Sequence, residues 1–332
     1  MNAPLLSIVI PTYNRCVWLD SLLYLLIPQI KDLNGSVELI VSNNASTDNT
    51  EAVIDRYYSK YPFICNTNPE NIGAIRNIFK GIKLSTGNFV WVLGDDDFVR
   101  PKILNALRYI LQENHEISLL YIPMVFWASE TEYAYPDDIL YDIRDYLIDK
   151  SDIKYRFTKY NTIKEIATPD KGYFNAISNF ILRRKDYYEA FKIGENEIQE
   201  FSSIQTTFPH AYYIAKNLMS MSCVCLDSPG VVCSGKVTWG KYYEITWLKW
   251  YPELIIMMST YGADRYSSRL ARVGIINRHY YEMIPKLYSG KIEMYEYFSW
   301  FKYYTTNLFF YAFWRIHLSL ISRFFRKFVF HS

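Results

Sequence analysis

Three consecutive carboxylates, Asp95-Asp96-Asp97, are the residues of this sequence whose types and spacing most directly suggest chemistry. Adjacent carboxylates repel one another, and a divalent cation bound between them lowers that cost. Oxygen ligands of this kind suit Mn²⁺ or Mg²⁺, ions that bridge to a diphosphate. A solvated acidic turn is the competing interpretation. The apolar run at residues 89–93, directly before the three aspartates, predicts a buried strand that ends at them and favours a site.

The surrounding pattern predicts the elements that position these carboxylates. Apolar runs at 7–10, ended by Pro11, and at 37–41 predict two further buried strands. Helical patterns lie between the strands at 18–30, 53–61 and 75–82. This alternation predicts an α/β domain with a parallel sheet and helices on both faces.

Ligands of such sheets bind at the carboxyl ends of the strands. The polar segments 12–15, 43–46 and 95–97 follow the three strands and should therefore lie side by side. Asp48 is also predicted to cap the second helix, with Glu51 three residues later completing a capping box.

Composition limits the function. With 332 residues and 50% hydrophobic content, the chain is long enough for one large domain or two smaller ones. A net charge of +2 argues against a general nucleic-acid binder. The five scattered cysteines fit a reducing compartment, and Cys223, Cys225 and Cys233 lack the paired spacing of a zinc site. We expect no signal peptide and no transmembrane helix.

Four motifs, in matching order and spacing, resemble those of the family 2 glycosyltransferases of the GT-A fold. They are Ser-Ile-Val-Ile-Pro-Thr-Tyr-Asn at 7–14, Asn-Asn-Ala-Ser-Thr-Asp at 43–48, Asn-Ile-Gly-Ala-Ile-Arg-Asn at 71–77, and Asp-Asp-Asp at 95–97. The resemblance covers about the first 110 residues. It implies an inverting, metal-dependent transfer from a nucleoside-diphosphate sugar, by a Rossmann-like mixed sheet flanked by helices and followed by a helical C-terminal region. We expect a nucleotide-sugar-binding half at 1–115, an acceptor-binding half at 116–240 and the helical region at 241–332.

The resemblance also assigns roles to residues. Asp97, the last aspartate of the motif, would bind Mn²⁺ or Mg²⁺, with Asp95 as the second metal ligand. Asp96 or Asp95 would face the ribose or the sugar, and Asp96 is the candidate catalytic residue. The positions expected to bind the nucleotide are Thr12, Tyr13, Arg15, Asn43, Arg76 and Asp95.

An inverting transfer needs a general base for the acceptor hydroxyl. Family members usually carry it as an Asp that opens a helix about 100 residues after the metal motif. In this chain His210 falls at that place, after Pro209, which suits the start of a helix. Histidine can act as a base, although a structural role is the alternative. Glu197 and Glu200 are the other candidates.

The nucleobase of the sugar donor is predicted from one departure from the family pattern. Where the family commonly has an Asp that accepts from uracil N3, this chain has Asn43, whose amide both donates and accepts and could pair with cytosine. Acceptance from uracil by its carbonyl is the alternative. The stretches 44–50 and 208–213 further resemble the abequosyltransferase-type enzymes of lipopolysaccharide O-antigen assembly. We therefore expect a CDP-linked sugar in preference to a UDP-linked one.

The C-terminal stretch from 297 to 332 contains no acidic residue. One helical face carries the apolar residues Trp314, Leu318, Ile321, Phe325 and Phe328, and the opposite face carries Arg315, Ser319, Ser322 and Arg326. A basic amphipathic helix of this kind is typical of a membrane surface, although packing on the protein body or a dimer contact are alternatives. We expect a cytoplasmic protein, peripheral at the inner face of the bacterial plasma membrane, with an oligosaccharide on a polyprenyl diphosphate as acceptor.

Two other functions stay open at this point. A sugar-nucleotide pyrophosphorylase would carry a Gly-rich loop after the first strand, and residues 11–15 contain no glycine. A binding protein that kept the fold and lost the chemistry would explain the histidine at 210, but the three adjacent carboxylates argue against it.

Overall fold

A central eight-stranded sheet of mixed direction organises the N-terminal part of the chain. The computed structural model describes residues 3–33, 35–127, 132–147, 155–234, 242–289 and 297–329. The strand order is β3-β2-β1-β4-β9-β6-β10-β8. Its strands are β1 Leu6–Thr12, β2 Val37–Asn43, β3 Ile64–Thr67, β4 Phe89–Val92, β6 Leu119–Tyr121, β8 Phe157–Tyr160, β9 Phe180–Arg183 and β10 Cys223–Leu226.

The four strands from the first part of the chain are parallel. Strands β1, β2 and β4 are the three that the apolar runs predict, whereas β3 was not predicted. The sheet becomes mixed where β9 inserts antiparallel between β4 and β6. Strand β1 also runs through Pro11 to Thr12, two residues beyond the end of the predicted run at Ile10. Proline is tolerated there because the pairing of β1 with β4 ends at Val9, so no ladder partner faces the missing N–H.

A second, three-stranded sheet carries the last carboxylate. It consists of β5 Asp97–Val99, β7 Met124–Phe126 and β11 Val231–Cys233, with β11 in the middle. Strand β11 pairs antiparallel with β5, in a register that sets Cys233 opposite Asp97. This pairing joins residues 136 positions apart at the predicted site, which is why no local pattern indicates it.

Helices cover both faces of the large sheet. Alternate side chains of β1, from Leu6, Ile8 and Ile10, join a buried core with the apolar face of α1. The intervening Val9 faces α3, where Gly81 allows close approach. The helices of this region are α1 Cys16–Lys31, α2 Thr50–Tyr58, α3 Ala74–Leu84, α4 Ile103–Glu113, α5 Pro136–Leu147 and α6 Arg184–Phe191.

The C-terminal region is helical within the described residues, as expected. The helices that follow along the chain are α7 Ile204–Thr207, α8 Pro209–Tyr213, α9 Tyr243–Ile245, α10 Tyr251–Thr260, α11 Arg265–Ile275, α12 Tyr281–Tyr288, α13 Trp300–Asn307 and α14 Tyr311–Val329. No helix among the described residues is long and apolar enough to span a membrane.

The chain divides into two compact units, each built from three segments. The first contains Met1–Ile166, Ala176–Ile198 and Asn217–Lys236, and the second contains Ala167–Asn175, Gln199–Lys216 and Val237–Ser332. These units interleave along the sequence, unlike the three consecutive parts at 1–115, 116–240 and 241–332. The three consecutive parts remain a prediction about which part of the chain binds the sugar donor and which binds the acceptor.

Candidate active site

The three aspartates, called here the carboxylate cluster, lie against the end of β1. Thr12 Oγ1 donates to Asp95 Oδ2 at 2.8 Å. The Arg15 Nη1 atom lies 3.2 Å from Asp95 Oδ1 and 2.6 Å from Asp96 Oδ2. The predicted meeting of segment 12–15 with segment 95–97 is therefore present, with a guanidinium between two of the carboxylates.

Ser178 fixes the third carboxylate. It lies just before β9, and its Oγ donates to Asp97 Oδ2 at 2.5 Å while accepting from the Gly94 N–H at 3.0 Å. Its carbonyl accepts from the Trp91 indole at 2.9 Å. A side chain at Gly94 would meet Asp97 Oδ2 at 2.7 Å, so only glycine lets the backbone pass this close to the cluster.

The end of strand β11 and the residue after it contribute two more donors. The Ser234 hydroxyl donates to Asp96 Oδ2 at 3.0 Å. The Cys233 thiol is hydrogen-bonded to Asp97, and burial together with that carboxylate raises the pKa of the thiol far above its usual range. Cys233 therefore acts as a neutral donor here, and all five cysteines are free thiols.

Burial shifts the protonation of the cluster itself. Asp95 is 6% exposed and Asp97 is 8% exposed. Desolvation raises the pKa of Asp95 to about 6, with Arg15 opposing the shift and Asp96 adding to it. Desolvation and repulsion from Asp96 raise the pKa of Asp97 to about 7. Added positive charge at this site would therefore be favourable.

The third polar segment, at the end of β2, joins the same edge of the sheet. Asn14 N–H donates to Ser46 Oγ at 2.9 Å, and Thr47 N–H donates to Asn14 Oδ1 at 2.7 Å. Asp48 Oδ2 accepts from the Cys16 N–H at 3.0 Å. The three segments predicted to converge are thus tied together by hydrogen bonds.

The predicted capping box at the start of α2 is wrong. Helix α2 begins at Thr50, and Asp48 Oδ1 accepts from the N–H and hydroxyl of that residue. Glu51 reaches Asn43 instead, whose Nδ2 donates to Glu51 Oε2 at 2.8 Å. The Asn43 Oδ1 atom accepts from the Ser46 N–H at 3.0 Å. Both polar atoms of the Asn43 amide are thus engaged within the chain.

Arg76 is positioned by a buried network of asparagines. Asn44 Oδ1 accepts from the Ile72 N–H at 3.0 Å, and Asn77 Nδ2 donates to Ser42 O at 2.8 Å. These bonds fix both ends of the turn into α3. Arg76 then lies in a cleft of about 320 Å³ lined by Ile72, Arg76, Phe79, Lys80, Lys83, Gly194 and Glu195. Tyr13 is 42% exposed beside the buried Thr12.

The sequence of this fold matches a known family. The description "Glycosyl transferase family 2" matches residues 7–191, more than half of the chain and all of the carboxylate cluster. The chain belongs to glycosyl transferase family 2. The glycosyltransferase therefore has the GT-A fold that its motifs predict, and the match favours a glycosyltransferase over a pyrophosphorylase.

The glycosyltransferase is similar to abequosyltransferase RfbV of Salmonella typhimurium, with 28% identity over 70% of this chain and 67% of that protein. For other relatives the matched part is little more than a third of their length.

Two solved structures share the fold. Staphylococcus aureus TarS in complex with UDP-GlcNAc has a TM-score of 0.50 and 16% identity, over 88% of this chain and 77% of that one. Mannosyltransferase PcManGT of Pyrobaculum calidifontis, in complex with GDP-Man and Mn²⁺, has a TM-score of 0.50 and 12% identity, over 88% and 76%.

The ligands that the carboxylate cluster offers are carboxylate oxygens, which suit a hard divalent cation. Among the described residues, however, no three His, Cys, Asp or Glu side chains are arranged to hold one ion. Asp95 and Asp96 turn toward Arg15, whereas Asp97 turns toward Ser178. The glycosyltransferase has suitable ligands whose oxygens are directed at internal donors.

The predicted base lies in the second compact unit. Pro209 opens helix α8, as expected, and His210 follows it at 5% exposure. The ring Nε2 lies 3.3 Å from the Asn175 carbonyl. Desolvation lowers the pKa of His210 to about 4, so the imidazole is neutral at pH 7. Of the alternatives, Glu197 is exposed and Glu200 is half-buried.

Helix α14 presents two different faces. Phe313, Ile316 and His317 are buried on the body of the second unit. Leu318 is 64% exposed and Ile321 is 51% exposed. The side chains of Phe325, Arg326 and Phe328, predicted to extend these faces, lie outside the described residues.

Three residues of the site have no signal in the sequence. Cys233 in β11, Ser234 directly after it and Ser178 just before β9 reach the cluster from 81 to 138 positions further along the chain. An isolated serine or cysteine is ordinary, and only the insertion of β9 and the pairing of β11 with β5 give these residues a function.

Proposed function

We propose that this glycosyltransferase transfers a single sugar from a nucleoside-diphosphate sugar, with inversion and with a divalent cation bound at Asp95 and Asp97. The observation that carries the proposal is the meeting of Asp95 and Asp96 with Thr12 and Arg15 at the carboxyl edge of the sheet, beside the buried Asp97. This is where α/β sheets bind nucleotides.

Each residue of the cluster has a task in the proposed reaction. Mn²⁺ or Mg²⁺, when bound, offsets the charge that develops on the leaving diphosphate. Asp97 and Asp95 supply carboxylate ligands, and Ser178 keeps Asp97 in one rotamer. Asp96, the most exposed of the three at 20% of its side chain, faces the donor sugar and orients its hydroxyls.

Nucleotide binding is assigned to the surrounding strand ends. Thr12 and Arg15 lie beside the carboxylates, where the diphosphate would be. Tyr13 offers an exposed aromatic face for stacking. Arg76, which forms no ion pair within the described part of the chain, supplies a cation that fits a phosphate oxygen.

His210 is our proposed base for the acceptor hydroxyl. A neutral imidazole can accept a proton, and the Asn175 carbonyl beside Nε2 would hold the ring in one tautomer. A purely structural His210 would be tied to the backbone in the same way. The variant His210→Ala separates the roles: loss of a base lowers kcat about 100-fold or more, with donor binding kept. An unchanged kcat would transfer the role to Glu197 or Glu200.

For the donor we propose a CDP-linked sugar, with an abequose-type dideoxyhexose as the first candidate. Two observations support this donor. The chain is similar to abequosyltransferase RfbV, and it has Asn43 where the family commonly has an Asp. Pairing with cytosine requires the Asn43 amide to exchange Glu51 and Ser46 for the base. If those bonds persist, Asn43 only orients Glu51, and the preference for cytidine disappears.

We propose an oligosaccharide on a polyprenyl diphosphate as the acceptor, met at the cytoplasmic face of the membrane. The exposed apolar face of α14, with Leu318 and Ile321, supports this location. Arg323, Arg326 and Lys327 in the same helix add charge that anionic lipids attract. O-antigen assembly is the pathway that the named relative suggests.

Calorimetry with CDP, UDP, GDP and dTDP, each with and without Mn²⁺, tests the proposal. We expect metal-dependent binding, tightest for CDP, and its loss in Asp97→Asn but not in the control Asp170→Asn, which alters an exposed carboxylate paired with Lys171. The anomeric configuration of the product, measured by NMR, tests inversion. Binding that is independent of metal for every nucleotide would refute the metal-dependent mechanism, and tighter binding of UDP would refute the cytidine preference alone.

A further inference from the structure

The Arg15 guanidinium occupies the space between two carboxylates of the cluster. Its Nη1 atom approaches Asp96 Oδ2 at 2.6 Å and Asp95 Oδ1 at 3.2 Å, and its side chain is 14% exposed. Within the described residues, Arg15 is the one cation that forms salt bridges with these aspartates. The position between the carboxylates that a metal ion would favour is thus filled by a charge of the protein itself.

Each carboxylate of the cluster also accepts a hydrogen bond from a hydroxyl group. Asp95 Oδ2 accepts from Thr12, and Asp96 Oδ2 accepts from Ser234 as well as from Arg15. Asp97 turns to Ser178. A divalent cation must therefore compete with the guanidinium, which also repels it. A hydroxyl donor can rotate away from a carboxylate at little free-energy cost. A buried guanidinium that moves away would lose its ion pairs, so it leaves the carboxylates only when another anion takes their place.

We propose that Arg15 is an internal counter-ion that holds the carboxylate cluster until a nucleoside diphosphate arrives, and so makes metal binding depend on the nucleotide. The inference rests on the proposed function. A diphosphate carries at least two negative charges and offers the guanidinium bidentate oxygens. When Arg15 turns to the diphosphate, Asp95 and Asp96 regain free lone pairs. Each ligand then strengthens binding of the other by the same factor.

The experiment measures Mn²⁺ binding to the full chain by electron paramagnetic resonance, with and without CDP. For the natural protein we expect CDP to tighten Mn²⁺ binding by about 10- to 100-fold. Arg15→Gln should bind Mn²⁺ alone about 10-fold more tightly than the natural protein, and CDP should then tighten Mn²⁺ binding by a smaller factor than it does in the natural protein. The same variant should bind CDP alone more weakly, because a phosphate partner is lost.

Two further variants isolate the role of the charge. Arg15→Lys keeps a cation at the cluster and should restore weak metal binding in the absence of CDP. Arg15→Met keeps the apolar stem near the Trp18 ring, 6.0 Å from the guanidinium carbon, and replaces Arg15→Gln if that variant does not fold. Arg56→Gln is the matched control, since Arg56 also forms a salt bridge with an aspartate, Asp20, away from the cluster.

The results separate this inference from the proposed function. If the neutral variants bind Mn²⁺ alone no more tightly than the natural protein, the counter-ion role is refuted while metal-dependent transfer stands. Equal tightening in Arg56→Gln would also refute it, since any lost cation would then suffice. If the natural protein binds no Mn²⁺ with any nucleotide, the proposed metal-dependent function itself is refuted.

Discussion

At the scale of single residues, the site depends on neutral hydroxyl donors that hold the carboxyl oxygens of the cluster. Ser178 donates to Asp97, Thr12 donates to Asp95 and Ser234 donates to Asp96. Hydrogen bonds to a buried carboxylate are stronger than neutral ones and fix its direction. The geometry of the cluster is therefore set as much by these hydroxyls as by the aspartates.

Removing one such donor should reduce activity without unfolding the protein. Ser178→Ala takes a hydrogen bond from Asp97 and another from the Gly94 N–H. We expect kcat/KM to fall about 10- to 100-fold, the equivalent of one charge-assisted hydrogen bond. Steady-state kinetics measures this. Ser59→Ala, which removes an exposed hydroxyl bonded to the Arg56 carbonyl, is the control and should have no effect. Unchanged kcat/KM in Ser178→Ala would contradict the positioning role.

His210 should make stability depend on pH in a defined window. Burial lowers its folded pKa to about 4 from a reference of 6.5. The unfolded chain therefore takes up the proton first, and stability is lost as the pH falls from 6.5 to 4, by about 3 kcal/mol. His210→Gln, compared with the natural protein by thermal unfolding across this range, should abolish that part of the loss. His115→Gln, which removes an exposed histidine, should leave it in place. Parallel pH profiles for all three proteins would refute the depressed pKa.

Sequence reasoning reached the aspartates, Thr12 and Arg15 because each directly follows a buried apolar run. It reached Asn43 as well, but not the bond to Glu51 that engages its amide. A motif indicates which side chains lie near a site. It does not indicate which of their atoms are already satisfied, because that depends on neighbours brought in by other elements.

At the scale of elements, the close contact between helix α3 and strand β1 positions Arg76 and its cleft. Gly81 lies at the contact, where an added Cβ would come within 2.4 Å of the Val9 Cγ1 atom. Val9 is fully buried and branched at Cβ, so its side chain has little freedom to move aside. The helix can approach the sheet this closely only because residue 81 has no side chain.

Gly81→Ala should therefore destabilise the protein although alanine is the better helix former. Overpacking costs about 1–3 kcal/mol, which exceeds the gain in helix propensity of about 1 kcal/mol. Gly274→Ala is the matched control, because an added Cβ there meets no atom within 4 Å. Chemical denaturation should show a loss for the first variant and a slight gain for the second. Equal stability of the two would contradict the close packing of α3.

Of the parallel strands in the first 92 residues, β1, β2 and β4 were predictable because each is a mainly apolar run, the pattern of strands buried on both faces. Strand β3, with the sequence Ile-Cys-Asn-Thr and alternate residues exposed, was not predicted. The later strands were not predictable either. β9 and β11 are only four and three residues long, and their pairing depends on partners far away in the chain. Such short runs resemble many apolar stretches that are not strands.

At the scale of the whole molecule, helix α14 divides its surface between the second unit and the solvent. Phe313 and Ile316 are buried, whereas Leu318 and Ile321 are exposed on the same helix. Removal of the helix would uncover buried side chains as well as the exposed face. Point substitutions on the exposed face therefore test membrane attachment more cleanly than deletion.

The double variant Leu318→Ser, Ile321→Ser should reduce binding to vesicles that contain anionic lipid by about 10-fold, because two buried apolar side chains are lost from the interface. Sedimentation with vesicles measures this, and added salt should weaken the binding of the natural protein. Leu270→Ser, which changes a 53% exposed leucine on α11, is the control. Equal sedimentation of the natural and double-variant proteins would assign the exposed face to another partner.

The interleaving of the two compact units has a consequence for synthesis on the ribosome. Strand β4 pairs with β9, which is made about 90 residues later, and the second unit gathers segments 167–175 and 199–216 but closes only with residues after 236. Neither unit can therefore complete its core while the N-terminal half alone has emerged. The nascent chain must keep the buried edge of β4 from other strands during that interval, so a ribosome stalled near residue 115 would leave a fragment prone to aggregation and in need of chaperones.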